Sequence, residues 1–239
     1  MNNRVTKTYT LALISLCFAG LSFANLKDEI RIGGLYLSPT GDLWKPGGGA
    51  SVEWRHRIQD NFSVSISIGV GKLDANNDVI PGDEGAVVSG GSTGIYYGFV
   101  DYYEGEATLI PISSFIIYDV PLGTATLSLE GGFKYIFVNS DVKAHMIDGF
   151  IDPYSGQAFG AERWTSDTEI GGNLLGALAA HLSIPLNEQV SVFIGGGYQL
   201  DFVKSDVELN NSYSDYNGKS TTESELAGFF AEAGVGFRF

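Results

Sequence analysis

The sequence predicts an all-β chain, an eight-stranded antiparallel up-and-down barrel that crosses a membrane. Three observations lead there. Phe62–Gly71 alternates without exception, with Phe62, Val64, Ile66, Ile68 and Val70 against Ser63, Ser65, Ser67, Gly69 and Gly71. Such alternation marks a strand with two unlike faces. Connections between segments of this kind also alternate in length, long at 39–49, 74–106, 139–167 and 204–224 and short at 59–61, 121–123 and 185–189. A soluble sandwich has no reason to sort its loops in this way, whereas a membrane barrel places tight turns on one side and long loops on the other. Finally, no apolar run after residue 24 reaches the length of a transmembrane helix. A processed chain that sits in a membrane must then cross it as a barrel.

Composition agrees. The 239 residues suffice for one domain or two, and the 32 glycines and 13% aromatics against 7 prolines suit strands and turns. The only cysteine, Cys17, excludes an intramolecular disulfide. A mean hydropathy of +0.07 does not argue against a membrane barrel, because each strand dilutes its apolar face with a polar one.

The N-terminus reads as a secretory signal. Arg4 and Lys7 give the positive start, Leu11–Leu21 the apolar core, and Ser22-Phe23-Ala24 a small-x-small site, so cleavage is expected after Ala24. The domain organisation is therefore a signal peptide over 1–24 and a barrel over 25–239. Cys17 lies inside the apolar core behind Leu16, which does not favour lipidation. Loss of two basic groups and no acids takes the net charge from −14 to −16, which disfavours nucleic acid as a partner.

The strands follow in order. Glu29–Ser38 sets Ile30, Ile32 and Tyr36 against Arg31, Gly33 and Leu35, and Pro39 ends it. Ala50–Ile58 sets Val52, Trp54 and Ile58 against Ser51, Glu53, Arg55 and Arg57, with His56 as a polar intruder on the apolar side near an interface. Thr108–Val120 is blurred, since Leu109, Pro111, Phe115 and Ile117 oppose Ile110, Ile112, Ile116 and Tyr118. Ala125–Val138 alternates again, Leu127, Leu129, Phe133, Tyr135 and Phe137 against Thr126, Ser128, Glu130, Gly132 and Lys134. Glu169–Ile184 is read as one strand, its glycines at 171, 172 and 176 arguing against a helix. Val190–Phe202 sets Val192, Ile194, Tyr198, Leu200 and Phe202 against Ser191, Gly195, Gly197, Gln199 and Asp201. Phe229–Phe239 closes the chain, with Phe229, Ala231, Ala233, Val235, Phe237 and Phe239 on one face.

A last strand of alternating apolar residues that ends on Phe239 resembles the closing strand of bacterial outer-membrane β-barrels. Across nearly the whole processed chain the sequence is similar to the small eight-stranded outer-membrane proteins of the W and X types. Ile30-Arg31-Ile32-Gly33 with Pro39, Leu109-Ile110-Pro111-Ile112, and Leu129-Glu130-Gly131-Gly132-Phe133-Lys134-Tyr135 carry the likeness. The resemblance implies an outer-membrane location, both termini and the short turns in the periplasm, and long loops outside. It also implies Phe239 as a signal to the barrel-insertion machinery, outer-membrane lipid and lipopolysaccharide as surroundings, and passive passage of small or apolar solutes.

The polar face gathers Arg31, Glu53, Arg55, Glu130, Lys134 and Glu232. An eight-stranded barrel is just wide enough for its own side chains, so these charges must pair or be hydrated. They form either a salt-bridged plug or the lining of a narrow pore, with Trp44 and the loop aromatics at its mouth. A closed barrel that acts through its surface or stabilises the membrane is the alternative to the pore. The segment 74–106 holds Asp74, Asp78, Asp83, Glu84, Asp101, Glu104 and Glu106 with no Lys or Arg, and carries Tyr96, Tyr97, Tyr102 and Tyr103. It reads as a solvated surface loop, with divalent-cation binding beside lipopolysaccharide or recognition of an outside partner through the tyrosines as the alternatives. Asp74–Asp78 opens like a calcium loop, but Val79 stands in the glycine position and Gly85 in that of the bidentate Glu. His56, His145 and His181 show no metal-ligand spacing. His181-Leu182-Ser183 resembles the histidine–serine pair of an outer-membrane lipid deacylase, yet would face the lumen at the periplasmic end without a carboxylate to orient it. No enzyme activity, metal or cofactor is expected.

Overall fold

The computed structural model describes residues 28–76, 87–91, 94–151, 158–210 and 223–239. The proposed signal segment and its cleavage site at Ala24 lie outside them, as do Asp78, Asp83, Glu84 and the rest of 77–86. The described chain is all strand and connection. The strands are β1 (Asp28–Pro39), β2 (Gly47–Gln59), β3 (Phe62–Asp74), β4 (Val87–Gly91), β5 (Gly94–Leu122) and β6 (Ala125–Ile151), followed by β7 (Ala158–Ile170), β8 (Asn173–Pro185), β9 (Val190–Val203), β10 (Ser205–Asn210), β11 (Glu223–Ser224) and β12 (Gly228–Arg238).

Eight of these close a ring in the order β1-β2-β3-β5-β6-β8-β9-β12, every neighbour antiparallel. The seam pairs β1 with β12 from Glu29↔Arg238 to Pro39↔Gly228. Closure leaves the ring without free edges, the condition a sheet must meet in hydrocarbon. Short turns join β2 to β3, β5 to β6 and β8 to β9 beside the start of β1 and the end of β12. The other four strands extend the wall on the opposite side: β4 pairs with β5, β7 with the far half of β6, β10 with β7, and β11 with β10.

The polarity is that of a membrane barrel. Leu178 is 72% and Ile116 66% exposed on the outside, while Arg31 is 3% and Arg55 5% exposed within. A soluble sandwich would show the reverse. The outward belt includes Ile32, Ile66, Phe133 and Ile194. Aromatic residues flank it: Phe62 against Tyr118 beside the short turns, with ring centroids 5.1 Å apart, and Tyr135–Phe137 and Tyr198–Phe229 toward the other side. Amphipathic rings favour the two membrane–water boundaries.

β5 and β6 run 29 and 27 residues, against 11 to 14 for the other ring strands, so about half of each stands beyond the membrane band. Here the sequence reading needs correction. Residues 94–106 and 139–151 belong to strands, and 158–167 to β7, although their polarity suggested loops. Their described charges, Glu104, Glu106, Asp141, Lys143, Arg163 and Asp167, face outward, where the wall has left the lipid and meets water. Along β5 the outward side passes from Tyr118, Ile116 and Ile112 to Glu106 and Glu104, while the inward side passes from Asp119 to Leu109, Ala107 and Tyr103. β6 makes the same exchange, from outward Phe133 and Phe137 to Asp141 and Lys143, and from inward Glu130 and Lys134 to Ile136, Val142 and Ala144. The blurred alternation of 108–120 is this crossover, from a barrel filled with polar groups to one filled with apolar ones.

Two further boundaries differ. The expected strand 169–184 is two elements, because Ile170 ends β7, Gly171-Gly172 turns the chain, and Asn173 starts β8. A side chain at Gly172 would lie 2.8 Å from the Ile136 carbonyl oxygen, so the turn demands glycine there. The expected loop 204–224 contains β10 and β11.

Candidate functional site

The lumen has two storeys. Strands β1, β2, β5, β6 and β8 send alternate residues inward, and near the short turns those residues are ionic. Arg31 places Nε 3.1 Å from Oε1 of Glu29 and donates from Nη2 to Oγ of Ser183 at 2.9 Å. Its Nη1 lies 3.9 Å from Glu53. Arg55 donates to Oγ of Ser128 at 3.0 Å and to Oε1 of Glu130 at 2.5 Å, with Asp119 at 3.6 Å and Glu53 at 3.8 Å. Ser128 in turn donates to Asp119 at 2.6 Å. Buried charges persist only when paired and hydrogen-bonded in this way.

Of the six residues proposed for a lumen cluster, Arg31, Glu53, Arg55 and Glu130 come together. Glu232 sits at the margin, 3.8 Å from Nε2 of His181. Lys134 stands apart: it donates to Oε1 of Gln199 at 3.0 Å and lies 4.0 Å from the centre of the Phe230 ring. Its inward position on β6 is four residues beyond Glu130. Glu29, Asp119 and His181 join the cluster without having been proposed for it, although Asp119 shares the inward phase of β5 with Ile117 and Phe115.

His181 requires a correction. A carboxylate does stand beside it, Oε1 of Glu130 being 3.0 Å from Nδ1, but the approach lacks hydrogen-bond geometry. Ser183, two residues on, accepts from Arg31. Neither ring nitrogen of His181 has a hydrogen-bond partner, so Ser183 is not held as a nucleophile for it, which needs a bond between the two. His56, the intruder on the outer face, pairs with Asp28 at 2.6 Å at the start of β1, where its face leaves the lipid. The Phe239 amide donates to the Asp28 carbonyl at 2.9 Å, tying the chain end to the start of β1.

The far storey is apolar. Leu37, Leu43, Trp44, Leu73, Tyr103, Leu109, Ile136, Val142, Leu175, Leu226 and Phe230 form one buried cluster. Trp44 is therefore not an open mouth of the lumen but part of what closes it. The connection from β1 to β2 folds inward as a strap: Trp44 bridges to Ala75, Lys45 N donates to the Asp74 carbonyl, and Asn76 N to the Leu43 carbonyl. Nε1 of Trp44 donates to Oγ of Ser224 at 3.3 Å.

A second strap, residues 224–227, is held from below. The Leu226 and Ala227 amides donate to Oδ2 of Asp201 at 2.9 and 2.7 Å, and Asn173 donates to the Ser224 carbonyl at 2.6 Å. Gln199 donates to the Leu226 carbonyl at 2.6 Å while accepting from Lys134. Gln199 and Asp201 were legible only as polar members of one strand face; nothing in the sequence tied them, or Asn173, to residues 224–227.

No protein-family model matches the chain, and no curated protein matches it. Solved structures do. The outer membrane protein OprG from Pseudomonas aeruginosa superposes with a TM-score of 0.56 at 11% identity, over 89% of this chain and 95% of that one. Neisserial surface protein A and a major outer membrane protein from Thermus thermophilus each give a TM-score of 0.43, at 13% and 16% identity, over 89% of this chain and 96% and 99% of theirs. The ring of eight, its apolar exterior and the OprG superposition give this chain the fold of the small bacterial outer-membrane β-barrels.

Proposed function

We propose that the protein is a closed, non-enzymatic barrel of the bacterial outer membrane that stabilises the envelope and presents a β-structured, acidic wall to the outside. The observation that carries this reading is the filling of both storeys, ionic pairs below and the Leu43–Trp44–Leu226 cluster above. Outer-membrane lipid and lipopolysaccharide would surround the apolar belt, and the insertion machinery would read Phe239. In planar bilayers the purified protein is expected to show no steady conductance; persistent open channels would reject the reading.

A second reading, passage of small apolar solutes, draws on the apolar upper lumen, which would suit such a solute if the two straps withdrew. Liposome flux separates the two. Uptake of an apolar solute by vesicles carrying the intact protein, absent from empty vesicles, favours passage over closure.

A further inference from the structure

At the short turn between β2 and β3 the outer wall carries an open hollow of about 480 Å³, lined by Gln59, Asp60, Asn61, Phe62 and Tyr118. We propose that this hollow binds the headgroup of phosphatidylethanolamine from the adjoining lipid leaflet, its ammonium between the Asp60 carboxylate and the rings of Phe62 and Tyr118. The inference rests on the membrane placement proposed above and names a lipid that this placement leaves open.

Position along the wall selects a headgroup. Phe62 and Tyr118 stand directly opposite each other on β3 and β5, both exposed, as the first pair of that ladder beside the turn. Further along the same outward faces come Ile116 and Ile66, also exposed, within the apolar belt. Acyl chains lying over these isoleucines therefore bring their headgroup to the two rings. The Asn61 carbonyl accepts from the Asp119 amide at 2.8 Å, which holds the turn against β5.

The lining chemistry fits an ammonium attached to a phosphate. Asp60 is the one ionised side chain among the lining residues, and it makes no ion pair or side-chain hydrogen bond among the described residues. The rings of Phe62 and Tyr118, with centroids 5.1 Å apart and planes tilted by 57°, add the negative faces of two quadrupoles. This half of the hollow is complementary to a cation. The side chains of Gln59, Asn61 and Tyr118 are likewise without partners among the described residues, and their amide and hydroxyl groups can donate to phosphate oxygens. The carboxylate separates the zwitterionic lipids, because ethanolamine offers it N–H donors and the trimethylated ammonium of choline offers none. A glycerol headgroup brings no cation at all.

The test uses the full processed chain in detergent micelles, offered equimolar phosphatidylethanolamine, phosphatidylcholine and phosphatidylglycerol with matched acyl chains. Native mass spectrometry counts the lipid retained. Phosphatidylethanolamine should exceed each of the others by about three- to tenfold, as suits one exposed ion pair joined to a cation–π contact. Asp60→Asn should lower its retention to that of phosphatidylcholine, and Tyr118→Leu should reduce it as well. Glu104→Gln, on the extended part of β5, should change nothing. Asp60 is exposed in a turn, so its variant is expected to fold and carries the test even if Tyr118→Leu does not. Equal retention of the ethanolamine and choline lipids, or a preference untouched by Asp60→Asn, would overturn the site. Conductance does not bear on this outcome: a conducting barrel can hold the headgroup and a silent one can lack it, so the site and the closed-barrel reading fail separately.

Discussion

Oε1 of Glu130 lies 2.5 Å from Nη2 of Arg55, and the two side chains are only 3% and 5% exposed. Residues 75 apart in sequence thus neutralise each other across the lumen from β6 and β2. Removing one member leaves the other buried without its main partner, a loss of about 3–5 kcal/mol. Glu130→Ala or Arg55→Ala should destabilise the barrel by that order in urea unfolding from micelles. Joint replacement by Leu and Met should restore only part of the loss, because Asp119 and Glu53 also lose Arg55.

Gln199 links the luminal ammonium of Lys134 to the strap at Leu226. In Gln199→Leu both the ammonium and the Leu226 carbonyl lose a partner, at about 1–3 kcal/mol for each buried polar group. The barrel should still form, since Gln199 makes no ring closure of its own. With Trp54 and Trp164 replaced by Phe, acrylamide quenching of Trp44 should rise in this variant, reporting a loosened cover. Unchanged quenching would mean that the strap does not depend on Gln199.

The seam between β1 and β12 is sensitive at one glycine and tolerant at its neighbour. A Cβ on Gly234 would lie 2.1 Å from the Ile32 carbonyl oxygen and 2.6 Å from the Gly33 Cα, so the strands would have to separate. A Cβ on Gly34 meets nothing nearer than 4.0 Å. Gly234→Ala should lower the yield of folded, heat-modifiable barrel on gels, and Gly34→Ala should leave it unchanged.

The polarity of the outer wall should change along β5 and β6. Ile194 is 63% exposed on the lipid-facing side of β9, and Ile194→Arg should cost about 2–4 kcal/mol on insertion into bilayers. Glu104→Arg, on the outward face of the extended β5, should be nearly neutral in the same assay. A comparable penalty at both positions would place residue 104 in lipid and contradict the crossover described above.

The strands of the ring were legible because the period of two survives wherever one face meets lipid. Phe62–Gly71 and Phe229–Phe239 announce themselves by alternation alone. The extension of β5 and β6 was hidden for a physical reason. Past the lipid boundary the outside of the wall takes charge, so Glu104, Glu106, Asp141 and Lys143 mimic the composition of loops while standing on strands. Only the inward partners Tyr103, Ala107, Val142 and Ala144 betray the change, and a compositional reading passes over them.

By itself the sequence determined a closed all-β wall, which residues turn outward, and that Arg31, Glu53, Arg55, Glu130, Lys134 and Glu232 turn in. Only the tertiary structure decided which of these meet. Four join a network with Glu29, Asp119 and His181, while Lys134 goes to Gln199, and Trp44 becomes a stopper instead of a way in. The reason is that inward direction is a local property, fixed by the pleat of a single strand. A contact across the lumen depends on the tilt and register of all eight strands at once.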